Sequence, residues 1–278
     1  MRRRRAVVGL LALSLAWATG CAARVAGAPD GEVVRPSITP GVAELPAPGR
    51  CTDGGLTAVD CARPHGGEVV DIGEFTGLGD DYPGERDFRR QAIPACRAAL
   101  AGYLGSADHD ATRLQAHVLW PSRDGWAKGD RWRLCTAVEL TTDGRRGQRT
   151  GRVKDLLKAA GFAGVQLCAQ GSPAHDADPV ITACDGPHRA EAVPGVLDLG
   201  RPGDPAPPRD QVDARAKEHC ATAVAGYVGA ERQDVFASWR SFGSQAWSEG
   251  FTTVVCYAEA TRPFTGRLWG LGTKALPA

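Results

Sequence analysis

The chain has 278 residues, of which 43% are hydrophobic and 23% are charged, so it is long enough for about two domains and too apolar for wholesale disorder. Its formal net charge of +1 argues against a strongly basic nucleic-acid binder, and no nucleic-acid partner is expected. The nine cysteines are an odd number for a chain of this length, and their positions organise most of what the sequence predicts.

The first residues have the pattern of a secretory signal. Four arginines follow Met1, an apolar run extends from Ala6 to Ala18, and small residues lead to Cys21. The run is too short to span a bilayer, which needs about 20 residues. Its end resembles the lipobox of bacterial lipoproteins, in which the cysteine thiol is lipidated and becomes the new N-terminus. We therefore expect a lipoprotein signal peptide over residues 1–20 and lipidation of Cys21; the alternative is an ordinary signal peptide with a stray cysteine.

A lipid on Cys21 would define where the mature protein is located. Two acyl chains of the palmitate kind suffice for stable anchoring, so the membrane is an expected partner and the extracytoplasmic face of the plasma membrane the expected location. Removing residues 1–20 takes four arginines from the net charge of +1 and leaves −3. Residues 21–50 contain five prolines and are predicted to form a Pro-rich tether that lifts the folded part off the membrane.

The remainder of the chain consists of two halves that repeat one another. Three motifs occur twice in the same order, at offsets of 123, 124 and 121 residues: C-x-x-P-H-x-x-E from Cys61 and Cys184, C-x-x-A-x-A-G-Y-x-G from Cys96 and Cys220, and W-x-x-G-x5-C from Trp126 and Trp247. The pattern predicts two tandem repeats, residues 51–142 and 161–262. Residues 143–160 are predicted to be a linker, and residues 263–278 a tail with no counterpart in the first half.

The eight cysteines after Cys21 predict disulfides, because an even number in an exported chain is typical of them. Pairing within each half is the economical choice, although pairing across the halves stays an alternative. Each loop should stabilise the fold by about 3 kcal/mol. A zinc site is disfavoured because no C-x-x-C occurs, so neither a metal nor a cofactor is predicted. The predicted bonds are Cys51–Cys61, Cys96–Cys135, Cys168–Cys184 and Cys220–Cys256.

Hydrophobic periodicity predicts the same elements in both halves. Apolar residues at helical spacing from Phe88 to Tyr103 and from Val212 to Tyr227 predict one main helix in each half, ending near Gly105 and Gly229. The helical cysteine would bond to the last strand. The fold class is α+β: two tandem, small, disulfide-stapled domains, each an antiparallel sheet packed on one main helix. The predicted strands are 68–72, 117–120 and 131–140 in the first half and 191–199, 235–239 and 251–260 in the second.

The combination of these motifs resembles the septum-formation domain family of actinobacterial envelope proteins. The matching positions include Cys61, His65, Glu68, Cys96 and Cys135, together with their counterparts in the second half, so the resemblance covers about residues 51–260 as two tandem copies. It implies a place in the cell envelope and a link to cell division or wall assembly. It brings no catalytic residues, and none is predicted.

Three sets of residues are candidates for binding or chemistry. His65 and Glu68, with His188 and Glu191, could form a metal site or an acid–base pair; in the alternative, Pro-His sets a turn and the imidazole bonds backbone. Residues three apart on a strand point to opposite faces, which disfavours cooperation. Trp126 and Trp247 could stack on sugars or lie in the core. The arginines of residues 145–152 could contact anionic polymers or form a solvated linker.

The sequence therefore favours a membrane-anchored extracytoplasmic lipoprotein that acts as a binding or adaptor module, with an envelope protein or a cell-wall component as partner. Duplication on a tether suits a bivalent adaptor. The first alternative is an envelope enzyme or metal-binding protein that uses the repeated Pro-His-x-x-Glu motifs. The second is a purely structural or sensor-accessory module.

Overall fold

Each half of the chain folds as an antiparallel sheet against one long helix. The structure, a computed structural model, describes residues 44–277. The expected signal peptide, Cys21 and most of the tether lie outside the described residues. The predicted α+β class, with two antiparallel sheets and four disulfides, is confirmed.

The first half contains five strands, all paired antiparallel in the order β2-β1-β3-β5-β4. The helix α1 lies between β3 and β4 in the chain and packs on both. The elements are β1 (Cys51–Thr52), β2 (Ala58–Val59), β3 (Gly67–Glu74), α1 (Glu85–Leu104), a 3-10 helix (Ala107–Ala111), β4 (Leu114–Leu119), α2 (Arg123–Ala127) and β5 (Trp132–Glu139).

The second half repeats this topology. Its sheet has the order β7-β6-β8-β11-β10, and a sixth strand, β9, pairs with β11. Strand by strand, this is the order of the first sheet, with β8 in the place of β3 and β11 in the place of β5. The elements are α3 (Phe162–Val165), β6 (Cys168–Ala169), β7 (Ile181–Thr182), β8 (His188–Ala192), β9 (Leu197–Asp198), α4 (Arg209–Val228), β10 (Val235–Ser241), α5 (Gly243–Trp247) and β11 (Thr253–Phe264).

The two long helices α1 and α4 have 20 residues each and end at the predicted glycines. Gly105 and Gly229 have φ of +86° and +83°, in the left-handed region that glycine adopts without the steric cost of a Cβ. Their backbone N–H groups donate to the carbonyls of Ala101 and Ala225, which closes each helix. The C-terminal glycines of the repeated A-G-Y-x-G motif therefore act as helix caps.

The four disulfides have the predicted pairing, and all eight cysteines are buried. Cys96–Cys135 ties α1 to β5, and Cys220–Cys256 ties α4 to β11. Cys51–Cys61 and Cys168–Cys184 close the short loops that precede β3 and β8. Each half is thus cross-linked once between helix and sheet and once at the edge of the sheet.

Alternation along the strands separates two faces of each sheet. In β5, Cys135 and Ala137 face the core with α1, whereas Trp132 and Leu134 pack with Leu45 on the opposite face. In β11, Cys256 and its alternate neighbours face α4, and Val255 and Tyr257 belong to a separate cluster. The last strand of each half therefore carries buried apolar side chains on both of its faces.

Several predicted strands differ from the structure at their ends. The strand expected over residues 191–199 is two strands, β8 and β9, interrupted by Pro194, which cannot donate a ladder hydrogen bond. The strand expected to end at residue 260 continues to Phe264. The two-residue strands β1, β2, β6 and β7 were not predicted, because so short an element has no readable alternation.

A buried ion pair of the first half binds residues of the second half. Arg97 of α1 binds both carboxylate oxygens of Asp110 at 2.7 Å, and Thr253 of β11 donates to the same carboxylate at 2.6 Å. Arg97 also donates to the carbonyl of Gly250 at 2.8 Å, and its guanidinium lies 4.0 Å from the ring of Phe251. Both charges are compensated by several partners, as burial requires, so this contact fixes the second half against the first.

Candidate functional site

The two histidines of the repeated motif lie inside the protein. His65 and His188 are each 1% exposed. In both, the ring Nδ1 donates to the carbonyl two residues earlier, Arg63 O at 2.9 Å and Gly186 O at 2.7 Å. This is the arrangement of the alternative in which Pro-His sets a turn and the imidazole bonds the backbone. Neither ring is in contact with solvent.

The carboxylate of Glu68 is buried and receives donors on both oxygens. The Tyr103 hydroxyl donates to Oε1, and the backbone N–H of Val153 donates to Oε2 at 2.6 Å. Arg152 lies 3.9 Å from Oε1. Burial and the neighbouring Glu68 raise the pKa of Tyr103, so its hydroxyl remains a donor. Tyr103 was not predicted as a partner, although it occurs in the repeated A-G-Y motif.

The carboxylate of Glu191 repeats this arrangement and adds the histidine. Tyr227 donates to Oε2 at 2.7 Å, Leu268 N–H donates at 3.1 Å, and Nε2 of His188 lies 3.1 Å from Oε1. The expectation that the histidine and glutamate face opposite ways is wrong in this half. The contact forms at the first residue of β8, where the pairing with β11 shifts register between Glu259 and Phe264.

The donors Val153 and Leu268 belong to a second repeat that the sequence analysis missed. Residues 150–153 read T-G-R-V and residues 265–268 read T-G-R-L. We call residues 150–157 the first strap and residues 265–272 the second strap. The offset of 115 residues differs from those of the other motifs, which is why the tail was expected to have no counterpart.

Both straps close the C-terminus of a long helix. In the first strap, the N–H groups of residues 155 and 157 donate to the carbonyls of Tyr103 and Leu104 at 2.9 and 3.0 Å. In the second, those of residues 270 and 272 donate to Tyr227 and Val228 at 2.9 and 2.8 Å. A helix end leaves its last carbonyls unpaired, and each strap supplies donors for them. Glu68 with Tyr103, and Glu191 with Tyr227 and His188, thus join the strand, the long helix and the strap of each half, and we call these two sets the clamps.

One group of metal-ligating side chains lies among residues 44–277. It consists of Cys168, His188 and Glu191, all buried, with ligand atoms within 4.8 Å of one another. Cys168 is bonded to Cys184, and a disulfide sulfur is a poor metal ligand compared with a thiolate. The group therefore does not fit a metal site in the oxidised protein.

The arginines of residues 145–152 bind partners within their own half. Arg145 pairs with Asp143, and Arg149 pairs with Glu139 at 3.0 Å. Arg149 also exchanges backbone hydrogen bonds with His65. Much of this segment is thereby held against the first sheet.

Trp126 is a core residue of the first half. Its ring meets those of Phe75, Tyr82 and Phe88 edge-on, at centroid distances of 6.1, 6.3 and 5.3 Å. Trp120 stacks on Phe88 at 5.1 Å. These five rings, which we call the aromatic cluster, fill the space beside the N-terminal part of α1.

The corresponding space in the second half is an open groove of about 1000 Å³. It lies beside the N-terminal part of α4, between the loop 173–177 and the strand β10 with α5. Trp247 lines it, and its indole N–H donates to the carbonyl of Asp204 at 2.8 Å. Prominent lining residues are Pro207, Trp239, Arg240, Phe242, Trp247 and Phe251.

Smaller residues in the second half explain why the groove is open. The loops before α1 and α4, residues 75–84 and 199–208, have equal length, and Cys96 and Cys220 align the helices. In the edge strands, Val118 of β4 pairs with Cys135 and Trp239 of β10 pairs with Cys256, so Val118 and Trp239 are equivalent positions. On this alignment four residues of the aromatic cluster are replaced: Phe75 by Leu199, Tyr82 by Ala206, Phe88 by Val212 and Trp120 by Ser241.

The groove also has aromatic residues of its own, and they are fixed in place. The Trp239 indole N–H donates to Asp213 at 3.1 Å. Arg240 donates to the carbonyls of Pro173, Asp176 and Ala177 at 2.6–3.3 Å, which holds the loop 173–177 as one wall. The groove is thus preformed, concave and rich in aromatic faces, as small binding sites in proteins are.

Comparison with known proteins identifies a family for most of the chain. Residues 45–256 match the model of a protein family described as septum formation. This single match runs through both halves and does not show two separate copies of the family domain. No curated protein and no solved structure matches the chain. None of the helices in the described part of the chain is long and apolar enough to cross a membrane.

Proposed function

Because the chain belongs to the septum-formation family, we propose that it is a lipid-anchored binding module of the cell envelope that takes part in septum formation. The family assigns a context of cell division or envelope assembly. The anchoring and the mode of action are our proposal, and the following observations support them.

The observation that carries the binding role is the groove beside α4. It is a concave surface where the equivalent surface of the first half is filled, and one of its aromatic residues, Phe242, is 42% exposed. The His-Glu-Tyr sets, by contrast, have both histidines and both glutamates buried and hydrogen-bonded within the protein. Binding at the groove is therefore better supported than catalysis at the repeated motifs.

Two features support an anchored, extracytoplasmic protein. The four disulfides require an oxidising compartment to form and persist. The basic residues, apolar run and Cys21 at the start of the chain have the order of a lipoprotein signal. Cys21→Ala should move the full-length protein from the membrane fraction to the soluble extracytoplasmic fraction, and retention in the membrane would exclude lipid anchoring through this residue.

Genetic complementation tests the binding role. Cells that lack the protein would receive the wild type or Ser241→Trp, which places in the groove the indole that the first half has at Trp120. We expect the wild type to restore septum spacing, measured as cell length, and S241W to fail. The matched control is Thr261→Trp, which adds an indole at an exposed position outside the groove lining.

Glu68→Gln with Glu191→Gln tests the enzymatic alternative in the same cells. The amide keeps an acceptor for the tyrosine and removes the carboxylate. Full complementation by S241W, together with loss of function in a stably folded E68Q/E191Q protein, would overturn the binding proposal in favour of chemistry at the repeated motifs.

A further inference from the structure

We propose that the groove beside α4 binds a peptide segment of a partner protein, one that presents an aromatic side chain preceded by acidic residues. This inference deepens the proposed binding function and rests on it. The first half supplies the argument, because there the chain itself fills the equivalent space.

In the first half, the loop of residues 75–84 brings an aromatic side chain back onto the core. Tyr82 packs edge-on against Phe88 and Trp126 at 5.3 and 6.3 Å, and its hydroxyl donates to the carbonyl of Pro121 at 3.2 Å. The segment before it reads T-G-L-G-D-D-Y-P, in which Leu78 also packs against the core. This loop is an intramolecular example of a segment that fits beside the long helix.

In the second half, the equivalent loop cannot do this. Residues 199–208 read L-G-R-P-G-D-P-A-P-P, with Pro202 and Ala206 in the places of Leu78 and Tyr82. The strand order and the long helix are the same, so what the groove lacks are the side chains that the loop contributes in the first half. An external segment with an aromatic residue would restore the contacts, because aromatic rings pack favourably edge-on or stacked.

Charge also favours an acidic segment. Arg240 lines the groove, and its guanidinium binds backbone carbonyls only, with no carboxylate partner among residues 44–277. Arg209 also lines the groove; its side chain is 92% exposed and lies 3.5 Å from the carboxylate of Asp213.

The hydrogen-bonding groups of the groove favour a peptide over an oligosaccharide. The indole N–H groups of Trp239 and Trp247 are already bonded to Asp213 and to the carbonyl of Asp204. The tryptophans therefore have no free donor for a sugar hydroxyl, and Trp247, which is 7% exposed, offers little ring face on which a sugar could stack. Phe251 is held by Arg97 of the first half, so the groove is continuous with the contact between the halves, and its preformed wall lowers the entropy cost of binding.

The experiment uses the full-length, oxidised protein in detergent and three synthetic peptides with blocked ends. These are T-G-L-G-D-D-Y-P, its Tyr→Ala variant and its double Asp→Asn variant, and binding is followed by tryptophan fluorescence and calorimetry. We expect saturable binding of the first peptide, at least tenfold weaker binding of the Tyr→Ala peptide and several-fold weaker binding of the Asp→Asn peptide. Binding that is insensitive to the tyrosine would overturn the inference.

Protein variants localise the binding. Ser241→Trp should weaken binding of the first peptide at least tenfold, whereas Thr261→Trp should not change it. Arg209→Glu should weaken it several-fold, with Arg86→Glu, an exposed arginine at the start of α1, as the control of equal charge change. Thermal unfolding confirms that each variant is folded. Unchanged binding by a folded S241W protein would place the peptide elsewhere and overturn the inference.

The outcomes separate this inference from the proposed function. An N-acetylglucosamine oligomer that binds the groove and is excluded by S241W, with no peptide binding, would refute the peptide and leave the binding function standing. Peptide binding to the wild type, combined with full complementation of septum spacing by S241W, would support the inference as a property of the groove and refute its role in septum formation.

Discussion

The first and second halves have the same strand order, the same helix caps and equivalent disulfides, yet they differ beside the long helix. In the first half five aromatic rings fill that space, and in the second half it is a groove. The clamps, straps and disulfides are common to both halves and so serve the fold. The groove belongs to one half alone, which makes it the place where the two halves differ in function. The predictions below test this division.

The largest effect should come from the disulfides between helix and sheet. Replacing Cys96 and Cys135 with alanine, or Cys220 and Cys256, opens loops of 39 or 36 residues and should lower the free energy of unfolding by about 4 kcal/mol in each case. The two losses of free energy should be similar, because the two loops have similar lengths. Denaturant unfolding measures both, and a loss confined to one half would contradict the equivalence of the two scaffolds.

The next effect contrasts the filled space with the open one. Phe88→Val removes a buried ring from the aromatic cluster and should cost about 3 kcal/mol through lost burial and a cavity. Val212→Phe makes the reverse exchange at the equivalent position, where the groove offers room, and should cost less than about 1.5 kcal/mol. Unfolding of both variants under the same conditions gives the comparison; equal losses would mean that Val212 is as tightly packed as Phe88.

The clamps give a smaller effect with a predicted asymmetry. Tyr103→Phe removes the hydroxyl donor of Glu68 Oε1 and should cost about 2 kcal/mol, as for hydrogen bonds to buried charged groups. Tyr227→Phe should cost about 1 kcal/mol, because Glu191 keeps its contact with His188 in addition to the strap N–H group, which each of the two glutamates keeps. A larger loss for Y227F than for Y103F would show that these remaining partners do not compensate.

The sequence predicted the parts of the fold that carry a strong local or repeated signal. The helix periodicity ending at Gly105 and Gly229 and the division of eight cysteines into two sets were enough for the helices, the fold class and the disulfides. The straps were missed because each is held by its backbone N–H groups, which place few demands on the side chains. The only sequence signal is the four-residue motif that begins each strap. The groove was missed because it arises where large side chains are absent, at Ala206 and Ser241. This absence is seen only when the two halves are aligned through their structures.

The smallest effect is the acid sensitivity that belongs to the first half alone. Burial, with the positive charge of Arg146 nearby, lowers the pKa of His117 to about 4, whereas the equivalent position in β10 is Ser238. The unfolded chain binds the proton near pH 6.5 and the folded protein only near pH 4, so this histidine makes stability fall as the pH falls through that interval. Because the ring is partly exposed, we expect a contribution of about 1 kcal/mol.

His117→Ser should reduce the loss of unfolding free energy between pH 6.5 and pH 4 by that amount. It should not abolish the loss, since burial also lowers the pKa of His109. The pH series of wild type and H117S decides the point: parallel curves would show that His117 is protonated equally in both states and that the first half carries no such sensitivity at this position.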